Sequence, residues 1–283
     1  IRVPSCLSGV AGIKPTTGRM PLTGHIIHNG QGLIDSLTQV GPIARFVDDL
    51  YPLLRITAGP DGKDPCVVPK PLKHPLAVNL KKLRVAFHTD NGILAADQDV
   101  KRTVESAAKS LLDVSAGVEQ SCPKVLAGLI DYWDFPHAAD GHAWIKRLLQ
   151  QSGTEQWDPH IDWHRQTPPM SGDRIGELLA KWHQYRVDMQ RWMNRYDVLI
   201  CPVNARASYP AGFELDGKSI KAFMYTAAYN MTGWPGAVVR CGTSKDGMPI
   251  GVQVVARPWR EDVCLAVAKH LETAFGGWKK PSI

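Results

Sequence analysis

Residues 83–119, which read LRVAFHTDNGILAADQDVKRTVESAAKSLLDVSAGVE, contain two strand patterns separated by a helix pattern. Residues 83–87 alternate in polarity, as expected of a half-buried β-strand. Asp97 or Asp99 can cap the following helix, whose apolar stripe consists of Val100, Val104, Ala107, Ala108 and Leu111. A second short strand is expected at residues 117–119. This order predicts a βαβ unit, in which two parallel strands are joined by a right-handed crossover.

Toward the C-terminus, helices and strands continue to alternate. Ser171 or Asp173 is suited to begin a long amphipathic helix, and residues 198–202 form an apolar run typical of a strand that is buried on both faces. Further strands are expected at 235–240 and 250–256, with a last helix from Glu261. The pattern predicts the α/β class, with a mixed, mostly parallel twisted sheet that is flanked by helices.

Toward the N-terminus, residues 1–48 are rich in glycine, which favours tight turns over long helices. Pro42 is suited to the first turn of a helix. The apolar residues that would share one face of this helix are Ile43, Phe46, Val47, Leu50 and Leu54. The sequence GPDG at residues 59–62 is expected to end it.

The composition is that of a folded protein and does not favour nucleic-acid binding. Apolar residues make up 44% and charged residues 21% of the 283 residues, which is sufficient for a sizeable core. The net charge is +6, but the basic residues form separate pairs, such as Lys81 with Lys82, instead of a concentrated stripe. We therefore expect no nucleic-acid partner.

The cysteines and the N-terminal sequence give information about the cellular compartment of the protein. The six cysteines form no CxxC pair, and several lie in apolar runs, so they are interpreted as small buried hydrophobic residues in a reducing cytoplasm. No apolar stretch is long enough to span a membrane, and no signal peptide is visible. The sequence begins at Ile1 without an initiator methionine, which is expected of a chain that continues upstream.

Three separated segments resemble the amidase signature family. The first comprises IRVPS at 1–5, GVAGIKPT at 9–16 and GR at 18–19; the second GPIAR at 41–45, DD at 48–49 and AGPD at 58–61; the third NMTGWP at 230–235 and MPIGVQ at 248–253. In addition, PWREDVCL at 258–265 is similar to the fatty acid amide hydrolase branch. The order and spacing agree across nearly the whole chain, although residues 120–170 contain no recognisable motif.

The resemblance implies a serine amidase, with residues 1–283 as the C-terminal part of a single amidase signature domain that lacks its N-terminal part here. In this family a serine attacks the amide carbonyl, and a second serine in a cis peptide passes the proton to a neutral lysine. Such a serine needs a base, a lysine acts as one only when its pKa is lowered, and backbone amides of a glycine-rich loop stabilise the oxyanion. The nucleophile would directly precede Ile1 and the other groups would lie upstream. No catalytic residue is therefore assigned within the chain, which is expected to be inactive alone.

Several residues of the matching segments are candidates for the site. The predicted substrate-binding residues are Ile1, Met231, Thr232, Trp234 and Trp259. Arg2 is interpreted as a structural anchor near the nucleophile, because a guanidinium can fix a turn through several hydrogen bonds. Trp234 would form a flat wall of the acyl pocket or a part of the core, and Trp259 would face a substrate channel or pack in the core.

No metal or cofactor is expected. His160 and His164 are four residues apart, but a zinc-protease helix needs a glutamate where Ile161 stands, and Pro159 argues against a helix. No glycine-flanked serine supports a Ser-His-Asp triad. The tryptophans of the middle segment would form either an acyl-binding wall or the core of a lid; they are Trp133, Trp144, Trp157 and Trp163.

The sequence thus predicts an amidase for a small or hydrophobic amide. Its expected partners are that substrate and the N-terminal segment of the same protein, and a homodimer is also considered. Two alternatives stay open: the A subunit of a tRNA-dependent amidotransferase, which would hydrolyse glutamine beside a partner subunit, and a non-catalytic scaffold chain. The 283 residues alone are expected to be insoluble or sticky, because the sheet would expose apolar edges.

Overall fold

The computed structural model describes residues 1–159, 161–213 and 217–281. Its strands are β1 (Ala11–Lys14), β2 (Ile43–Ala44), β3 (Arg84–Phe87), β4 (Gly117–Gln120), β5 (Val198–Pro202), β6 (Gly236–Thr243) and β7 (Pro249–Ala256). Its helices are α1 (Arg2–Leu7), α2 (Leu50–Thr57), α3 (Gln98–Lys109), α4 (Phe135–Ala138), α5 (Ala143–Gln151), α6 (Gly172–Met193), α7 (Gly217–Thr232) and α8 (Glu261–Phe275).

The strands form one mixed sheet in the order β2-β1-β6-β7-β5-β3-β4. The predicted α/β class, with a mixed sheet flanked by helices, is therefore confirmed. The fraction of strand pairs that are parallel is smaller than the sequence predicts. Among the described strands, β3 pairs in parallel with β4 and β5. The β1–β2, β1–β6, β5–β7 and β6–β7 pairs are antiparallel. One reason is the short turn between β6 and β7, since a parallel pair requires a long crossover connection.

The unit from β3 to β4 has the predicted βαβ arrangement. Arg84 is in register with Gly117 in the parallel pair, and α3 connects the two strands. Asp97 is the N-cap residue of α3, and the predicted stripe, represented by Val104 and Ala107, is buried. The apolar periodicity of this stretch was therefore sufficient to define one end of the sheet.

β5 shows how the sheet separates two hydrophobic cores. Val198 and Ile200 belong to a core that also contains buried residues of α2, α3 and α8. Leu199 and Cys201 belong to a second core with α6 and α7. Because side chains alternate along a strand, one fully apolar strand contributes to both cores.

The region around Pro42 differs from the prediction. Residues 43–44 form strand β2, in which Ile43 is in register with Gly12 of β1, and the helix begins only at Leu50. Leu50 and Leu54 are buried as predicted, but Ile43 and Phe46 are each 46% exposed. Pairing with the edge of β1 evidently outweighs the local helix signal, which illustrates how tertiary contacts override propensity.

Helices α1, α4, α5 and α7 have no counterpart in the sequence prediction, although α6 begins after Ser171 as expected. α7 is buried on most of its surface, so it lacks the polar face that makes a helix recognisable by its periodicity. The structure does confirm the turns expected in the glycine-rich region before residue 48, with α1 as a short exception. None of the helices described here is long and apolar enough to cross a membrane.

Candidate active site

A cleft of about 170 Å³ lies at the start of α1. Four parts of the chain meet there: the beginning of α1, the end of β1, the loop before β2, and the C-terminal half of α7. The lining residues are Ile1, Arg2, Val3, Pro4, Lys14, Leu37, Gln39, Thr226 and Asn230. Ile1, the first of the predicted substrate-binding residues, therefore lies directly on a concave surface.

α1 is held against the sheet because two glycines lie beneath it. A Cβ atom added to Gly12 of β1 would lie 2.2 Å from Ser5 Oγ, and one added to Gly251 of β7 would lie 3.0 Å from Cys6 Sγ. Ser5 Oγ also donates a hydrogen bond to Ile1 O over 2.8 Å. The position of Ile1 is thus tied to the sheet by close backbone approach, which glycine alone permits.

Arg2 joins α1 to α7 and β7. Its guanidinium donates to the side-chain oxygens of Gln253 and Asn230 and to Thr226 O over 2.8 Å, and the residue is 4% exposed. Burial lowers the pKa of Arg2 to about 10, so the group stays positively charged at neutral pH. The planar fork of arginine suits three converging acceptors, which a lysine would not satisfy.

Lys14 is a second buried cation at the cleft, and the sequence reasoning did not identify it. The residue is 3% exposed, and its Nζ atom donates to Pro15 O over 2.8 Å. Burial, followed by the nearby charge of Arg2, holds the pKa of Lys14 well below its ordinary value. A single lysine at the end of the otherwise apolar and glycine-containing run AGIK is the signal that could have revealed it.

Met231, Thr232 and Trp234 lie near the C-terminal end of α7 and are buried. The carbonyl of Met231 accepts a hydrogen bond from Trp182 Nε1 over 2.7 Å, and Trp234 packs in the core shared with α6. None of these three is among the described residues that line the cleft. The cleft is instead reached from α7 by Thr226 and by Asn230, which directly precedes Met231.

Trp259 contacts the loop that follows β1. Its backbone has a positive φ of 65°, its N–H donates to Thr16 Oγ1 over 2.8 Å, and the guanidinium of Arg19 lies 4.8 Å from its ring centroid. Trp259 is half-buried and is absent from the described lining of the cleft. These contacts favour packing of the turn before α8 over direct contact with a ligand there.

The middle segment contains a second cavity and a group of histidines. The cavity, of about 230 Å³, is lined by Ile130, Asp131, Tyr132, Asp134, Phe135, Ala138, Met170, Arg174 and Leu178. Trp133 and Trp144 pack at the margin of the neighbouring core. The rings of His142 and His164 lie 4.2 Å apart. His160 and the side chain of Trp163 lie outside the described residues, among which no group of three or more His, Cys, Asp or Glu residues could hold a metal ion.

Comparison with known proteins gives consistent matches. The family model for Amidase matches residues 1–265. An acylamidase from Rhodococcus erythropolis is 29% identical and aligns with 100% of this chain and 61% of its own length. The A subunit of a glutamyl-tRNA(Gln) amidotransferase from Prochlorococcus marinus (strain MIT 9313) is 30% identical, over 97% of this chain and 62% of its own. The structure of a 6-aminohexanoate cyclic dimer hydrolase complexed with substrate superposes with a TM-score of 0.83 at 25% identity, over 97% of this chain and 62% of its own. This chain thus spans less than two thirds of the length of each of these proteins.

Proposed function

This chain belongs to the Amidase family, and from that premise we propose that the protein hydrolyses the carbon–nitrogen bond of an amide. The observation that carries the proposal is the position of Ile1 in the cleft at the start of α1. In the family resemblance, the residue before Ile1 is the nucleophile, and glycine packing beneath α1 would hold that residue at the same cleft.

The proposed mechanism is the Ser-Ser-Lys mechanism implied by the resemblance. A serine before Ile1 would attack the amide carbonyl, and a second serine would pass its proton to a lysine that is neutral because of burial or a neighbouring cation. Backbone amides of a preceding glycine-rich loop would stabilise the oxyanion.

We further propose that residues 1–283 are the C-terminal part of a single amidase domain and are inactive without the preceding segment. The single sheet of the described residues supports one domain, and the matched relatives are longer than this chain. The preceding segment is then the first partner of this chain. A cytoplasmic location is part of the proposal, supported by six unpaired cysteines, of which Cys66 is exposed.

For the substrate, we propose a small or hydrophobic amide. The acylamidase name of one relative and the cyclic amide dimer of a matched structure both support simple amides. The second candidate activity is glutamine hydrolysis within an amidotransferase, which is favoured by the relative with 30% identity. The two candidates differ in their requirement for a partner subunit.

Labelling of the full-length protein with a fluorophosphonate, followed by mapping of the modified peptide, tests the proposal. The tag is expected on the residue that precedes Ile1, and replacement of that residue by alanine should abolish both labelling and hydrolysis. The matched control is Ser5→Ala, which should remain labelled because the Ser5 hydroxyl is buried and donates to Ile1 O. The absence of a tag would favour the non-catalytic scaffold, and a tag at any other residue would contradict the proposed position of the nucleophile. Release of ammonia from glutamine, but not from acyl amides, would favour the amidotransferase.

A further inference from the structure

The cleft at the start of α1 contains two buried cationic side chains, Arg2 and Lys14, which are 4% and 3% exposed. Removing an ionised group from water is costly, and in folded proteins this cost is normally offset by a nearby opposite charge. The chemical identity of the groups around these two cations therefore indicates what the cleft can bind.

The described acceptors of both cations are uncharged. Arg2 donates to two side-chain amide oxygens and to a backbone carbonyl, and Lys14 donates to the carbonyl of Pro15. An ammonium group has three N–H donors, so the bond to Pro15 leaves Lys14 with further donor capacity at the cleft. Within residues 1–159, 161–213 and 217–281, neither side chain forms an ion pair with a carboxylate.

The acidic group whose charge acts on Lys14 is already paired with another cation. Glu261 of α8, whose charge raises the pKa of Lys14 against the larger effects of burial and of Arg2, accepts hydrogen bonds from Arg19 and from Thr16 N. The carboxylate of Glu261 therefore compensates the charge of Arg19, and within the described part of the chain it leaves Arg2 and a protonated Lys14 without a paired carboxylate. The depressed pKa of Lys14 has the same cause, because burial and the charge of Arg2 both disfavour its protonated form.

We propose that a carboxylate binds in this cleft between the Lys14 ammonium and the Arg2 guanidinium. Two planar oxygens are complementary to an ammonium and a guanidinium that lie at one surface. The volume of about 170 Å³ is smaller than that of ordinary ligand pockets, which suits one functional group with a short chain. The carboxylate belongs either to an acidic side chain elsewhere in the protein or to the acyl part of the substrate.

The inference goes beyond the proposed hydrolysis, because binding of a carboxylate can be measured without turnover. The first arm is calorimetric titration of the full-length protein with acetate and succinate at constant ionic strength, with neutral acetamide as the control ligand. If the carboxylate comes from the substrate, both anions bind, acetamide does not, and Lys14→Met weakens binding at least tenfold. Lys14→Arg should weaken binding less than Lys14→Met because it keeps the positive charge.

The second arm measures the melting temperature of the same variants. If the protein supplies the carboxylate, Lys14→Met lowers the melting temperature because it leaves that carboxylate buried and unpaired. One Asp→Asn or Glu→Gln change in the preceding segment should then lower it as well, and the double variant should lose less than the sum of the two single losses. If the substrate supplies it, Lys14→Met should leave the melting temperature unchanged or raise it, since an unpaired buried cation is removed.

The two arms together are decisive. Binding of free carboxylate that depends on Lys14, or coupling of Lys14 to one acidic residue, would each support the proposal and identify the source. If no free carboxylate binds and no acidic residue couples to Lys14, the proposal is wrong, whatever the protein hydrolyses. A protein without amidase activity that nevertheless shows either result would contradict the proposed function alone.

Discussion

Arg19 and Glu261 form a buried ion pair between the loop that follows β1 and the first residue of α8. Arg19 Nη2 lies 2.9 Å from Glu261 Oε2, and the two side chains are 2% and 0% exposed. The carboxylate also accepts Thr16 N over 2.9 Å. Two segments far apart in the sequence are thus joined by charge-assisted hydrogen bonds, which are stronger than neutral ones.

Removal of one member of this pair should destabilise the protein strongly. Arg19→Met is expected to lower the free energy of unfolding by about 3–5 kcal/mol, because Glu261 would remain buried and charged without a partner. The double variant Arg19→Met with Glu261→Leu should recover a large part of the loss. Chemical denaturation followed by far-UV circular dichroism measures both, and additive losses would show that the two side chains are not coupled.

The same pair predicts a loss of stability in acid. Burial favours the neutral carboxyl, but the hydrogen bonds and charge of Arg19 outweigh it and hold the pKa of Glu261 below its ordinary value of 4.5. The stabilisation is therefore fully present above about pH 4.5 and is lost as the pH falls through the lower pKa of the folded state. Melting temperatures measured from pH 7 to pH 3 should fall less steeply in Glu261→Gln than in the unmodified protein.

Gly12 and Gly176 offer a matched pair of glycine substitutions. Gly12→Ala should destabilise the protein by more than 1 kcal/mol, because its Cβ would lie 2.2 Å from Ser5 Oγ and overpacking typically costs about 1–3 kcal/mol. At Gly176, within α6, an added Cβ has no neighbour within 4 Å. Gly176→Ala should therefore stabilise the protein by about 0.5–1 kcal/mol. Equal effects at the two positions, measured by urea unfolding, would refute the close packing of α1.

Substitution of Trp182 and Trp144 tests how much a buried hydrogen bond contributes to the stability of the protein. Trp182→Phe would leave the carbonyl of Met231 without its donor in the core, and an unsatisfied buried acceptor costs about 1–3 kcal/mol. Trp144 donates to the carbonyl of His137 in a partly buried setting, where water can replace the indole. Trp144→Phe should cost less than Trp182→Phe in thermal denaturation, and the reverse order would contradict the buried position of Trp182.

The contact between His142 and His164 predicts local opening of the middle segment in mild acid. Burial lowers the pKa of both residues, that of His164 to about 4, and the neighbouring His142 lowers the pKa of His164 further. The charge of Asp134 raises both pKa values and that of His137 lowers both, whereas Asp140 and a hydrogen bond with the His137 backbone raise the pKa of His142. Because the folded state favours the neutral rings, its stability falls as the pH drops from about 6.5 toward 4. Hydrogen exchange in residues 134–166 should be faster at pH 5 than at pH 7.5 after correction for intrinsic rates, and His164→Gln should weaken this dependence.

The sequence predicted those elements whose apolar pattern is visible within a single segment of the chain. The stripe of α3 and the apolar run of β5 are periodic or continuous in sequence, so their structure follows from local patterning. α7 was not predicted because most of its surface is buried, and β2 was misread because its pairing with β1 depends on a distant strand edge. Antiparallel pairs such as β5–β7 depend on how strands meet in space, which periodicity does not encode.

The candidate site was predicted only in part for the same reason. Ile1 and Arg2 were identified from a resemblance that is continuous in sequence, and both line the cleft. Lys14, Thr226 and Asn230 reach it from β1 and α7, so their proximity appears only once the sheet is formed. The burial of Trp234 likewise follows from the packing of α6 on α7, which no single segment specifies.

The glycines beneath α1 also limit how the protein can be redesigned. Since Gly12 and Gly251 leave no space between α1 and the strands, the cleft cannot be enlarged from that side without moving a whole strand. A mutant library that seeks binding of bulkier ligands in this cleft should keep residues 1–12 constant. It should vary Leu37, Gln39 and Thr226 instead, because these reach the cleft from a loop and from α7.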